Sequence, residues 1–240
     1  MGTMRIGSIR HAVCAGGWRR AIGLALSFGL PLGAAALSTG CDSPRPVATS
    51  RSLGEWNFEY GRYAEAAEYY GEIIARYPGD ADAQYHYGVC QSELGDLNAA
   101  RRSLEAATKL RPNDDQVAFA LADVLARQGD LTQLYQLLRD RAAATGRPEA
   151  WVLMSQYALE HGDPDTARTA ALNAIEVDDG RSAEPYYQAA LVAEMLGETD
   201  NAVRRLRQGY GINPDDQRIR TKLVEYGEVL GPTLALPPGR

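Results

Sequence analysis

The side chains of this 240-residue sequence best suited to attack, proton transfer or metal binding are three cysteines (Cys14, Cys41 and Cys90), three histidines and several paired aspartates. Their spacing assembles none of the familiar chemistries. There is no CxxC or HExxH to hold a metal, no glycine-rich phosphate loop ending in Gly-Lys-Ser/Thr, and no GxSxG nucleophile turn. His86 lies between two tyrosines and His161 opens an HGDP turn; each is expected to be a surface or helix-end residue, with no partner in sequence for catalysis. Asp114-Asp115, Asp178-Asp179 and Asp215-Asp216 fall between candidate helices, where carboxylates solvate the chain and cap the next helix. They lack the alternating ligand spacing of a calcium loop. Cys90, close to Gly88 on a candidate helix, reads as a buried, inert thiol. The sequence therefore predicts no catalytic residue, no metal, no cofactor and no small-molecule substrate.

Cys41 has a different setting. Residues 21–40, AIGLALSFGLPLGAAALSTG, carry no charge and follow the pair Arg19-Arg20, and Cys41 stands directly after small residues and before a proline-rich break. A basic start, an apolar stretch and small residues before a cut are the parts of an export signal. About 20 apolar residues could instead span a bilayer, but Pro31, Gly23, Gly29, Gly33 and Gly40 make this stretch a poor permanent helix. The segment Ser38-Thr39-Gly40-Cys41 resembles the signal of bacterial lipoproteins, with Gly40 in its place and Ser38 where an aliphatic residue is usual. That resemblance implies cleavage before Cys41 and lipidation of its sulfur, each buried CH₂ adding about 0.8 kcal/mol of membrane affinity. Cys14 would leave with the leader and Cys90 would remain as a single thiol, so no internal disulfide is expected. The expected location is the bacterial cell envelope, lipid-anchored and facing the periplasm, with Asp42 favouring the inner membrane. The twin-arginine alternative is poorly continued by Ala21-Ile22-Gly23.

Charge excludes one class of partner. The leader through Cys41 holds four arginines and no acid; taking these from 25 basic residues leaves 21 against 31 acidic, a net charge of −10 for the body. No nucleic-acid partner is expected from such a balance.

The elements that must position any function are repeats. Residues 53–78 laid over 87–112 align Gly54 with Gly88, Gly61 with Gly95, Ala66 with Ala100, Tyr70 with Leu104 and Pro78 with Pro112, every offset being 34 residues. Further units carry Ala122 and Gly129; Trp151, Ser155, Gly162, Ala167 and Ala174; and Tyr186, Ala190, Gly197, Ala202 and Pro214. The period and these positions resemble the tetratricopeptide repeat, in which a small residue in one helix, Gly at the turn, small and large residues in the next helix and Pro at the exit recur. The resemblance implies an all-α, right-handed superhelical solenoid of about five helix-turn-helix units plus a C-terminal capping helix. The expected division is a signal peptide over 1–40, a lipidated linker over 41–50, the array over 51–216, a capping helix over 217–230 and a disordered tail over 231–240. Leu134 and Arg141 of the third unit occupy places meant for small residues, so its helices should lie further apart or bend locally.

In this family the first helices line an inner groove. Carried over position by position, the resemblance implies a peptide groove of Phe58, Tyr85, Val89, Phe119, Val152, Tyr187 and Leu191, flanked by Glu55, Asp82, Glu93, Asp123 and Glu194. Its ligand would be a protein or peptide with apolar anchors and positive charge, with the membrane as a second partner through the N-terminal lipid. The function expected is a non-catalytic, membrane-tethered interaction scaffold, assisting assembly of a pilus, secretion or outer-membrane complex. A docking regulator of a cell-wall enzyme, or a soluble adaptor if the leader is misread, are the alternatives.

Overall fold

The computed structural model describes residues 45–239. The leader, Cys41 and Asp42 lie outside the described residues. Within them the chain forms helices and no strand: α1 (Val47–Glu59), α2 (Tyr63–Arg76), α3 (Ala81–Glu93), α4 (Leu97–Leu110), α5 (Asp115–Gln128), α6 (Leu131–Thr145), α7 (Glu149–Glu160), α8 (Pro164–Asp178), α9 (Glu184–Met195), α10 (Thr199–Ile212) and α11 (Gln217–Glu225). Each helix packs on its sequence neighbour, giving five stacked hairpins and a final short helix, a helical solenoid. No helix among the described residues is long and apolar enough to cross a membrane.

Turn chemistry sets the boundaries. Gly61, Gly95, Gly129, Gly162 and Gly197 all take positive φ, from 69° to 86°, leaving the first helix of each hairpin by a conformation that costs other residues energy. Asp96, Asp130 and Asp163 then accept the backbone N–H three residues on, capping α4, α6 and α8. Pro78, Pro112 and Pro214 follow the last residues of α2, α4 and α10 by two positions and stop them. The paired aspartates divide in role: Asp114 and Asp216 cap α5 and α11, whereas Asp178 is buried and accepts from the backbone and hydroxyl of Ser182.

Within each hairpin a residue of little bulk in the first helix has its counterpart sixteen positions on in the second. Gly54 meets the ring of Tyr70 and Gly88 the side chain of Leu104. Ala122 with Leu138, and Ala190 with Leu206, lie buried in common apolar clusters at the same spacing. In the fourth hairpin Ser155 takes the small place, and its buried hydroxyl donates to the Ala167 carbonyl at 2.9 Å while accepting from Gln188 of the next repeat at 3.2 Å. Polar atoms here are matched, so burial costs little.

The third hairpin differs as its sequence implies. α5 and α6 approach each other less closely along their length than the helices of any other hairpin, and α5 and α7 are looser than the pairs α1–α3, α3–α5 and α7–α9. Arg141, only 5% exposed, accounts for its place: Nε donates to Asp115 at 2.5 Å, and the two terminal nitrogens donate to the carbonyls of Pro112 and Asn113 at 2.8 and 2.5 Å. A residue standing where a small one belongs thus ties α6 to the loop before α5, and the buried cation is matched on three sides.

Three expected boundaries are corrected. Val47–Ser50 are already helical, with Pro46 at the N-cap of α1, so the helical array begins before residue 51. The capping helix ends at Glu225 rather than 230, since Gly227 at φ 81° breaks it. Residues 231–239 are not a free tail: Leu234 is buried and the segment is hydrogen-bonded along α10.

A Cβ at position 88 would stand 2.7 Å from Leu104 Cγ, whereas one at 71 would meet Tyr87 at an ordinary 3.5 Å. Gly88→Val should therefore lower stability by about 2 kcal/mol through overpacking, and Gly71→Ala, within α2, should raise it by about 0.5–1 kcal/mol. Urea unfolding followed by circular dichroism compares the two; a neutral Gly88→Val would contradict the close approach.

Candidate functional site

Beyond sequence neighbours, first helix packs on first helix, α1 with α3, α3 with α5 and α7 with α9, and a depression lined from α5, α7 and α9 lies between the two sets. All the residues expected to line a groove belong to these helices. Phe58, Tyr85, Val89, Phe119, Tyr187 and Leu191 are half-buried, Val152 is buried, Glu55, Asp82, Glu93 and Glu194 are exposed and Asp123 is half-exposed.

The structure gathers these residues into separate places. Tyr85, Val89, Glu93 and Asp123 come together around an open depression of about 320 Å³ between α3 and α5, with Gln116 and Ala120. Phe119 and Val152 line a second depression, of about 290 Å³, with Leu153, Gln156, Pro148 and Pro185 as mostly apolar walls and Glu149 and Glu184 at its edge. It opens where α5 and α7 are loosely packed, so the unusual third hairpin is what makes room for it. The prolines arise from helix starts, Pro148 at the N-cap of α7 and Pro185 in the first turn of α9.

The ends of the face are occupied by the chain itself. Phe58 packs edge-on against Tyr63 and His86, with ring centroids 5.7 and 4.9 Å apart. At the other end α11 supplies two cations: Arg218 lies 4.7 Å over the Tyr187 ring and pairs with Glu184 at 2.6 Å, and Lys222 pairs with Glu194 at 2.8 Å. Asp82 is bonded by Arg111, and Asp123 is 3.6 Å from Arg127. Burial, with the Asp123 carboxylate beside it, pushes the Tyr157 phenol up to about 12. Glu93 and Glu149, which border the two depressions, have no ion pair among the described residues, so the open middle of the face keeps uncompensated negative charge. Tyr157, Leu153 and the α11 cations were not singled out by the sequence; the i, i+4 spacing of Arg218 and Lys222 on the last helix was the signal available.

His86 is neither a surface nor a helix-end residue, which corrects the expectation for it. It stacks on Tyr70 with centroids 5.0 Å apart and planes 11° from parallel, and meets Phe58 and Tyr85 edge-on. Its Nδ1 and the Tyr70 hydroxyl are buried with no hydrogen-bond partner among the described residues. His161 is exposed at its turn. Cys90 is free and wholly buried, its thiol pushed up to about 12 chiefly by desolvation, which removes the thiolate needed for reactivity. No group of His, Cys, Asp and Glu among the described residues is arranged to hold a metal.

Fold and face together define a helical-hairpin repeat scaffold. Tetratricopeptide-repeat family descriptions match residues 57–124 and 152–217, and the chain belongs to that family. The curated Cellulose synthase 2 operon protein C of Komagataeibacter xylinus is 28% identical over 169 residues, a span covering 68% of this chain and 13% of that protein. Among solved structures, MamA from Desulfovibrio magneticus RS-1 superposes with a TM-score of 0.57 at 17% identity, over 71% of this chain and 97% of that one. YrrB, described as a TPR protein with an unusual peptide-binding site, gives 0.52 at 16% identity over 74% and 91%. At these identities the likeness is one of fold.

Burial lowers the His86 pKa, and the nearby Asp82 and Glu55 only partly oppose this. The unfolded chain then binds the proton more readily than the folded one, so stability is lost as pH falls from about 6.5 toward the depressed folded value. Melting temperature should drop between pH 7.5 and 5.5 in the wild type, and by less in His86→Phe; equal drops would remove His86 as the cause.

Proposed function

We propose that this protein is a non-catalytic, membrane-tethered interaction scaffold of the bacterial cell envelope, holding a protein partner by an extended or helical segment laid on the face of its first helices. The observation that carries the reading is the open middle of that face: two depressions with apolar walls, Tyr85 and Val89 in one and Phe119 and Val152 in the other, bordered by Glu93 and Glu149, which pair with no cation among the described residues. Apolar anchors with lysine or arginine beside them complement such a surface. Tethering rests on the sequence: a basic start, twenty uncharged residues and Cys41 behind Ser-Thr-Gly. An inner-membrane position is favoured by Asp42.

Support for an assembly role comes from composition and kinship. Repeat arrays present surfaces rather than reactive groups, and one relative is named for a cellulose synthase operon. This chain spans only 13% of that protein, so that relative's own role is not transferred. The partner fitting the surface is a component of an envelope machine such as a pilus, secretion or outer-membrane complex.

Affinity capture from detergent-solubilised membranes of a lipoprotein-processing bacterium tests both parts. Wild type should be membrane-bound, shortened by about 4 kDa of its 26.1 kDa with acyl mass added, and should retain a discrete partner. Cys41→Ala should be acyl-free and released from membranes. Glu93→Arg with Glu149→Arg should stay in the membrane, melt like wild type and lose partner recovery at least tenfold. Soluble, acyl-free wild type would overturn the tether; undiminished capture by the charge-reversed protein would overturn the face.

A further inference from the structure

The segment after α11 turns at 231–234, where Leu234 N–H donates to the Gly231 carbonyl at 3.0 Å, and then runs back along α10 without regular structure, its contacts resembling those of a ligand in a site. Leu236 N–H donates to the Arg207 carbonyl at 3.1 Å, and Arg207 Nε donates to the Leu234 carbonyl at 2.8 Å. Arg205 donates to the Gly239 carbonyl at 2.9 Å, Gln208 donates to the carbonyls of Pro237 and Gly239 at 3.3 and 3.2 Å, and Gly239 N–H donates to the Tyr186 hydroxyl at 3.2 Å. The recognition is of backbone, with one side chain, Leu234, fully seated.

The receiving surface is shaped for that backbone. A Cβ at Gly211 would lie 2.5 Å from the Leu236 carbonyl oxygen, and one at Gly180 would lie 2.7 Å from the Pro238 ring. Glycine inside a helix costs about 1 kcal/mol relative to alanine, and at 211 its lack of a side chain lets the segment reach the Arg207 carbonyl four residues earlier. Arg205 is 4% exposed, and among the described residues no carboxylate pairs with it; its acceptors are the Gln208 side chain and the Gly239 carbonyl. A buried cation matched only by neutral carbonyls is expensive in a permanent core. It is far less so in a surface site whose occupant can leave, returning the guanidinium to water.

Past Leu234, which packs with Leu206, Ile219 and Leu223, most of the occupant faces solvent. Thr233, Ala235, Pro237, Pro238 and Gly239 remain exposed, and Leu236 is half-buried. A short link through Gly231 gives it a local concentration in the millimolar range, so modest intrinsic affinity keeps the site filled. Prolines at 237 and 238 pre-set the extended backbone and reduce the entropy lost on docking.

We propose that α10 with the α8–α9 turn forms a binding site, separate from the face of the first helices, for an extended, uncharged peptide in which Leu-x-Leu precedes Pro-Pro-Gly, and that residues 234–239 are its exchangeable resident. The site uses Arg205, Gln208 and Tyr186 to read the backbone and Gly211 and Gly180 to admit it.

The test uses the full chain with its resident weakened by Leu234→Asp, and a fluorescein-labelled peptide of residues 232–239 as probe in fluorescence anisotropy. The peptide should bind the Leu234→Asp chain saturably and at least tenfold more tightly than the intact chain, whose own segment competes. Adding Gly211→Ala, a change that favours helix, should weaken that binding at least tenfold. In the otherwise wild-type chain Gly211→Ala should speed hydrogen exchange at Leu236 and Gly239 without lowering the melting temperature. No binding to a folded Leu234→Asp chain, equal binding to both chains, or collapse of the Leu234→Asp fold would each overturn the proposal, the last by showing the segment to be integral core.

Discussion

Everything in this molecule depends on how closely two helices of one hairpin can approach. Where Gly54 faces Tyr70 and Gly88 faces Leu104, the large side chain of the second helix fills the space a side chain of the first would need. That interlock fixes the hairpin, and the hairpins bury their remaining apolar surface only by stacking. The row of first helices, and any surface it presents, is therefore a consequence of small residues on its buried side. Its open side is left free to vary.

Variation on the buried side also shapes the open side. Leu134 and Arg141 enlarge the third hairpin, Arg141 fastening α6 to the loop at Pro112 and Asn113. With α5 and α7 held less tightly, the depression between Phe119 and Val152 opens. The two ends of the row close for other reasons, an aromatic cluster around His86 at one and the cations of α11 at the other. What remains for a partner is the middle.

The hairpins were legible because their physics is local and periodic. A glycine every 33 to 35 residues, aspartate after it at three turns and proline past three of the second helices mark the units without reference to anything distant. The placing of the candidate groove residues on first helices follows from the same register. Three things were not legible. His86 is half-buried, its Nδ1 enclosed, because rings of α1, α2 and α3 converge on it, and the spacing of Arg218 and Lys222 puts two cations on one side of α11 without saying that Glu184 and Glu194 would meet them. Residues 231–239, rich in glycine and proline, read as a tail because their partners, Arg205, Gln208 and Gly211, lie about thirty residues away in a helix that looks complete without them.

The central claim is that the middle of the first-helix face is where this protein meets its partner. A photoreactive phenylalanine analogue placed singly at Phe119 or Val89, and at the exposed Leu110 as a control, and irradiated in living cells of a host that carries the partner, tests it most directly. The account predicts a discrete cross-linked protein at 119 and 89, weakened by Glu93→Arg, and none at 110. Cross-links at 110 alone, or unchanged by reversing Glu93, would contradict it.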